Sequence, residues 1–173
     1  MKPKIIVLDG PSGVGKTALA KAMQEELLPD LWMHFSIDSL VYALPDSVLE
    51  RCNKYNDWSS VNSNALFLSA FSCVNGIAKN GNSVIFDIVI TDEDRADELR
   101  NAFSECEFVV VGVFCEWGEI KRRTMGRGDR TLREAEYGFN NSPKHFRYDV
   151  IVNTTSITPL EAARECIESV REL

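Results

Sequence analysis

The 173-residue chain has no Cys-x-x-Cys pair and no paired His/Cys cluster, and its only two histidines, His34 and His145, stand at metal-ligand spacing with nothing else. A zinc finger or ribbon is therefore excluded, and both histidines read as packing or surface residues. The five cysteines, Cys52, Cys73, Cys106, Cys115 and Cys166, are widely separated. They read as reduced, mostly buried small hydrophobes of a cytosolic protein. No apolar run is long enough for a signal peptide or a membrane span, because Met1-Lys2-Pro3-Lys4 leads straight into a short run that stops at Asp9. The expected location is the cytoplasm, with no membrane partner. Positive charge is scarce: 19 Lys and Arg stand against 26 Asp and Glu, for a net charge of -7. A pI near 4.9 argues against a surface that grips a nucleic-acid backbone. The guanine-reading Asn-Lys-x-Asp is absent too, since Asn53-Lys54-Tyr55-Asn56 lacks its aspartate. No linker or internal repeat interrupts the chain, and 45% hydrophobic residues suffice for one domain over residues 1–173.

What is present begins at Gly10. Gly10-Pro11-Ser12-Gly13-Val14-Gly15-Lys16-Thr17 is a complete G-x-x-x-x-G-K-[ST] loop, preceded by Ile5-Ile6-Val7-Leu8 and followed by Ala18-Leu19-Ala20-Lys21-Ala22-Met23. That context is strand, glycine-rich loop, helix, as a phosphate-binding loop requires. The glycines let successive backbone N–H groups curl around phosphate oxygens, and the helix start adds unpaired N–H groups and a positive dipole end. Lys16 is expected to bridge the outer phosphates and Thr17 to coordinate Mg²⁺.

Apolar runs at about 4–8, 32–37, 83–90, 107–115 and 148–153, separated by helical patterns, predict a parallel sheet covered on both faces. Helices are expected over 62–79, with Gly81 beyond its end, from Thr91 through Glu105, from near Trp117, and from Thr158 to near Leu173, where Thr158-Pro159-Leu160-Glu161 spells a capping box. The segments Pro45–Val61 and Gly126–Pro143 read as irregular, the natural places for an acceptor pocket (about 39–64) and a mobile lid (about 121–143).

In a parallel sheet the strand carboxyl ends face the ligand crevice, so acids there lie near the phosphates. Asp38 ends the second run and Asp87 the third. Asp38 is the candidate base toward an acceptor hydroxyl, or a cap for the helix that follows; the two are compatible. Asp87 is the candidate Mg²⁺ partner, or an acid that pairs with Lys16 or an arginine and sets loop geometry. Lys121, Arg122, Arg123, Arg127, Arg130 and Arg133 form a basic island in an acidic chain, read as a lid whose forks hold the transferring phosphoryl group or as a solvated helix face.

With GPSGVGKT at 10–17, LWMHFSIDSL at 31–40, VIFD at 84–87, VVVGVFC at 109–115, RGDR at 127–130 and YDVIVNTT at 148–155, the chain resembles, nearly end to end, the chloramphenicol phosphotransferase family of phosphate-loop kinases. The resemblance implies a three-layer α/β sandwich with a five-stranded parallel sheet in the order 2-3-1-4-5. It implies ATP and Mg²⁺ as cofactors and transfer of the γ-phosphoryl group to a hydroxyl of a small molecule such as the antibiotic. It also implies that Asp38, Lys16 and Arg130 are catalytic, that Gly10 through Thr17 with Arg123 and Arg127 bind the nucleotide, and that Thr17 and Asp87 serve the metal. Two positions depart from the family pattern: Ile88 stands where a second acid follows the strand aspartate, and Asn153 replaces an acid in the last strand. A kinase of another small alcohol or nucleoside, a regulatory ATPase, and a kinase of nucleic-acid ends remain alternatives. Whether the chain forms a homo-oligomer is left open by its sequence.

Overall fold

The structure is a computed structural model that describes residues 4–127, 132–142 and 145–173. Five parallel strands, β1 (Ile5–Asp9), β2 (Trp32–Ser36), β3 (Ser83–Ile88), β4 (Phe108–Phe114) and β5 (Val150–Asn153), form one sheet in the order β2-β3-β1-β4-β5. The central strands β1, β3 and β4 are apolar almost throughout because helices cover both of their faces. Alternate residues go to opposite layers. Ile6, Leu8, Ile85 and Val111 pack against α1 (Lys16–Glu26) and α8 (Pro159–Arg171). Ile5, Val7, Val84 and Phe86 pack against α4 (Ser63–Lys79) and α5 (Glu93–Phe103). The second layer is built around Phe71, Phe86 and Phe103, whose rings meet edge-on with centroids 6.1–6.2 Å apart. Losing one of these rings to alanine costs about 3–5 kcal/mol.

Caps follow the sequence closely but not everywhere. Thr158 and Glu161 form the expected capping box, and Asn62 caps α4 by accepting from the Ala65 N–H. At α5 the cap is Asp92, which accepts from the Arg95 N–H, and not Thr91. Asp38 is the first residue of the one-turn helix α2 (Asp38–Val41), so it is not that helix's cap.

The two segments expected to be irregular are largely helical. Pro45 and the left-handed Asn56 bracket α3 (Asp46–Tyr55), which buries only Cys52. With so narrow an apolar stripe, its periodicity is faint in the sequence. Beyond β4, α6 (Trp117–Arg127) and α7 (Leu132–Asn141) pack together, with the rings of Trp117 and Phe139 5.4 Å apart. That tertiary packing offsets the roughly 1 kcal/mol that each internal glycine costs a helix. Among the described residues no helix is long and apolar enough to cross a membrane. All five cysteines are free; Cys52, Cys115 and Cys166 are buried, while Cys73 is exposed.

Candidate active site

The phosphate loop leaves β1 at Asp9 and enters α1 at Lys16. Gly13 adopts φ +83°, and a Cβ there would lie 2.8 Å from the Thr124 Oγ1 of α6, so only glycine fits between loop and helix. α1 starts from a left-handed Gly15, with no side-chain cap and no acid in its first turn. No acid of its own first turn therefore competes for its leading N–H groups, which is the arrangement an anion needs.

Lys16 is buried, and its Nζ donates to the carbonyls of Gly10 (2.8 Å) and Pro11 (3.1 Å). The same ammonium lies 3.8 Å from Asp87 Oδ1, while Thr17 Oγ1 donates to Asp87 Oδ2 at 2.7 Å. Burial pushes the Asp87 carboxyl up, but Lys16, His34 and the Thr17 hydroxyl more than offset this and hold it below the usual aspartate range. Lys16, Thr17, Asp38 and Asp87 line one cavity of about 120 Å³. The Asp38 N–H donates to Ser36 Oγ at 3.3 Å, which fixes the turn that presents this acid. Ile88, directly after Asp87, is buried and lines the same space.

A second cavity, of about 740 Å³, lies on the other side of the loop between α1, α6 and the segment 154–159. Gly13, Gly15 and Ala18 belong to both cavities, so the loop is their shared wall. Arg123 forms part of the larger cavity's rim. Its guanidinium donates to Val14 O (3.0 Å), Thr154 Oγ1 (3.2 Å), Thr154 O (2.7 Å) and Glu119 Oε1 (2.7 Å). It therefore staples α6 to the phosphate loop and to the end of β5. Hydrogen bonds from Arg122 and Arg123 hold Glu119 down at about 2. Lys121 and Arg133 are exposed. Arg130 and the side chain of Arg127 lie outside the described residues, so the RGDR part of the expected lid is not placed.

Sequence reasoning passed over several residues that shape this site. His34, read as packing, has its Nε2 3.6 Å from Asp87 Oδ2. Asp9 is fully buried beneath the loop; it accepts from Tyr148 Oη (2.7 Å) and the Ile90 N–H (2.9 Å). Burial raises its carboxyl above the ordinary range despite these bonds, and burial together with Asp9 raises the Tyr148 phenol. Gly112 makes that pairing possible, because a Cβ there would lie 2.7 Å from the Tyr148 ring. Asn153, in place of an acid, accepts from the N–H and hydroxyl of Thr155 and turns the chain along the larger cavity. Finding the contacts of His34 with Asp87 and of Asp9 with Tyr148 required strand register, which no local motif carries.

A parallel 2-3-1-4-5 sheet with a phosphate loop after its central strand, a buried lysine and two acids at strand ends define a phosphate-loop kinase fold. The profile of the chloramphenicol phosphotransferase-like protein family matches residues 3–171, and the chain belongs to that family. It is accordingly an ATP-dependent small-molecule kinase. Curated protein sequences give no significant match. Among solved structures, a sugar kinase from Janibacter sp. HTCC2649 is similar with a TM-score of 0.74 at 14% identity, covering 98% of this chain and 95% of that one. The tunicamycin resistance protein of Deinococcus radiodurans follows at 0.69 and 17%, covering 98% and 96%. The shikimate kinase of Acinetobacter baumannii in complex with shikimate gives 0.63 and 15%, covering 99% and 94%. At these identities the likeness establishes the fold alone.

Proposed function

We propose that the chain transfers the γ-phosphoryl group of ATP to a hydroxyl of chloramphenicol or a closely similar small alcohol, and thereby inactivates an antibiotic. The observation that carries this reading is the opening of Asp38 into the same cavity as Lys16, Thr17 and Asp87, with the phosphate loop dividing that cavity from the larger one. The larger cavity suits the adenosine of ATP, and the loop amides and Lys16 suit its phosphates. The acceptor hydroxyl meets the terminal phosphate from the Asp38 side. A bond forms between the acceptor oxygen and the γ-phosphorus as the bond from that phosphorus to the ADP oxygen breaks. The hydroxyl proton passes to Asp38, and ADP leaves with the electron pair of the broken bond.

The Thr17 hydroxyl and Asp87 carboxylate are hard oxygen donors in mutual contact, a set that fits Mg²⁺. No cluster of three or more His, Cys, Asp or Glu that could hold a metal occurs among the described residues, so phosphates and water would have to complete the coordination. When bound, the ion would neutralise phosphate charge. Arg123 acts here by holding the nucleotide wall; Arg127 and Arg130 remain the proposed arginines of the lid. The test is incubation with ATP and a panel of hydroxylated compounds, including chloramphenicol, nucleosides and sugar alcohols, scored by mass spectrometry. A phosphate adduct on chloramphenicol is expected, and an adduct confined to another class would replace it as the acceptor.

A further inference from the structure

Among the described residues the buried Nε2 of His34 has no partner within hydrogen-bond distance. Its position is set by the sheet. β2 runs beside β3 with His34 opposite Ile85 and Ser36 opposite Asp87, so His34 reaches Asp87 diagonally on the face below α1. The 3.6 Å approach is to Oδ2, the oxygen that already accepts the Thr17 hydroxyl. The opposite oxygen, Oδ1, has Lys16 at 3.8 Å.

Two of these three neighbours have other work once nucleotide arrives. Phosphates draw the Lys16 ammonium, and a cation draws the Thr17 oxygen, so Asp87 loses partners while still buried. A buried carboxylate without donors is costly, and one free to rotate cannot hold a cation in a fixed place. His34 is on a strand and does not leave. We propose that His34 is a positioning residue for Asp87: its Nε2–H takes over Oδ2 when Thr17 turns to the metal, and so aims Oδ1 at the phosphate cavity. The neutral imidazole with its proton on Nε2 suffices, and no change of charge is involved. The inference rests on the reading of Asp87 as the metal-side acid.

The test compares His34→Met, which keeps the volume without a donor, with His34→Gln, whose amide N–H can stand near Nε2, and with Asp87→Asn. Mn²⁺ binding to the protein saturated with a non-hydrolysable ATP analogue is followed by electron paramagnetic resonance. His34→Met is expected to weaken Mn²⁺ binding by about 10- to 100-fold, the range for loss of a residue that orients a metal ligand. Metal-free nucleotide affinity should not change, and His34→Gln should recover most of the loss. Wild-type Mn²⁺ affinity in His34→Met while Asp87→Asn is weakened would overturn the role of His34 alone. An unchanged Asp87→Asn would overturn the metal reading and this inference with it. If His34→Met does not fold, ¹⁵N-histidine spectra of the wild type decide. A protonated, exchange-protected Nε2 with Mg²⁺ and the analogue supports the inference, and an unprotonated Nε2 sinks it.

Discussion

Removing one oxygen atom, by Tyr148→Phe, tests whether the phosphate loop rests on a buried carboxylate. Tyr148 Oη donates to Asp9 Oδ2 at 2.7 Å, and the Ile90 N–H holds Oδ1 at 2.9 Å. Asp9 is 0% exposed, so water cannot replace the lost donor. A hydrogen bond to a buried charged group is worth about 1.5–3 kcal/mol. In a chain of this size each kcal/mol moves Tm by about 2–4 °C, giving a fall of about 3–12 °C. The cost also depends on pH. Burial raises the folded-state value of Asp9 above the ordinary 3.8, so the native state holds this proton more tightly than the unfolded chain does. Its contribution to stability is present below 3.8 and is lost as pH rises through the folded value. Deleting the Tyr148 bond raises that value further, so the mutant's deficit should grow as pH rises. Urea denaturation of wild type, Tyr148→Phe, Asp9→Asn and the double mutant, in a series from about pH 4 to about pH 8, measures both effects. A deficit below about 0.5 kcal/mol at neutral pH that stays flat with pH would refute the reasoning, as would an equal deficit in the Asp9→Asn background.

Asp38→Asn should lower turnover by about 10²- to 10⁴-fold, the scale of a lost general base, while calorimetry finds ATP affinity nearly intact; full turnover would remove Asp38 from the base role. Gly13→Ala should weaken nucleotide binding and lower Tm, because the left-handed backbone costs about 1–2 kcal/mol and the new Cβ overlaps Thr124 Oγ1. Thr124→Ala in the same chain should restore part of the Tm, and no restoration would place the strain elsewhere. Arg123→Ala should raise the KM for ATP by about tenfold with a smaller change in kcat, since it loosens the cavity wall and not the reacting groups. Glu119 is held at about 2, so its pairing with Arg123 is complete above 4.5 and is lost only as pH falls from there toward about 2. ATP affinity measured down to about pH 4 should show no acid limb from this pair, and a limb abolished by Glu119→Gln would contradict it.

Local structure that depends on neighbours in the chain was legible in the sequence. The loop from Gly10 to Thr17 carries its geometry in its own glycines, and each of the five strands lies within two residues of its apolar run at every end. What depends on register was hidden. His34 and Asp87 are 53 positions apart, and their contact exists because β2 pairs with β3 at Ser36↔Asp87. Asp9 and Tyr148 meet across a bare Cα at Gly112 on the intervening strand. The helix α6 was expected from near Trp117, but α3 and α7 were obscured for a different reason. α3 has a thin apolar stripe and α7 carries glycine at 138, so tertiary packing rather than propensity decides their state. The basic island divides along the same line: Arg122 and Arg123 pair with Glu119 within α6, and Arg123 also reaches back to the loop.

The partners of Lys16 show how the loop satisfies a buried ammonium from within itself. An ammonium buried with no acceptor would be costly, and here the carbonyls of Gly10 and Pro11 supply two within the loop itself. Both bonds are to neutral acceptors, and a phosphate oxygen forms a charge-assisted bond roughly twice as strong. Bound in the proposed way, a nucleotide would replace these two acceptors with stronger partners. Asp87, at 3.8 Å, keeps the ammonium on the strand-end side of the loop in the meantime. On the proposed reading, the same exchange would free Asp87 to face the incoming charge together with Thr17. An acid at the end of β3 can thus pair with the loop lysine and still stand within reach of the proposed phosphate site. The two readings of Asp87 are therefore compatible: the Lys16 contact is present in the structure, and the proposed metal-side role would follow once phosphates drew the ammonium away.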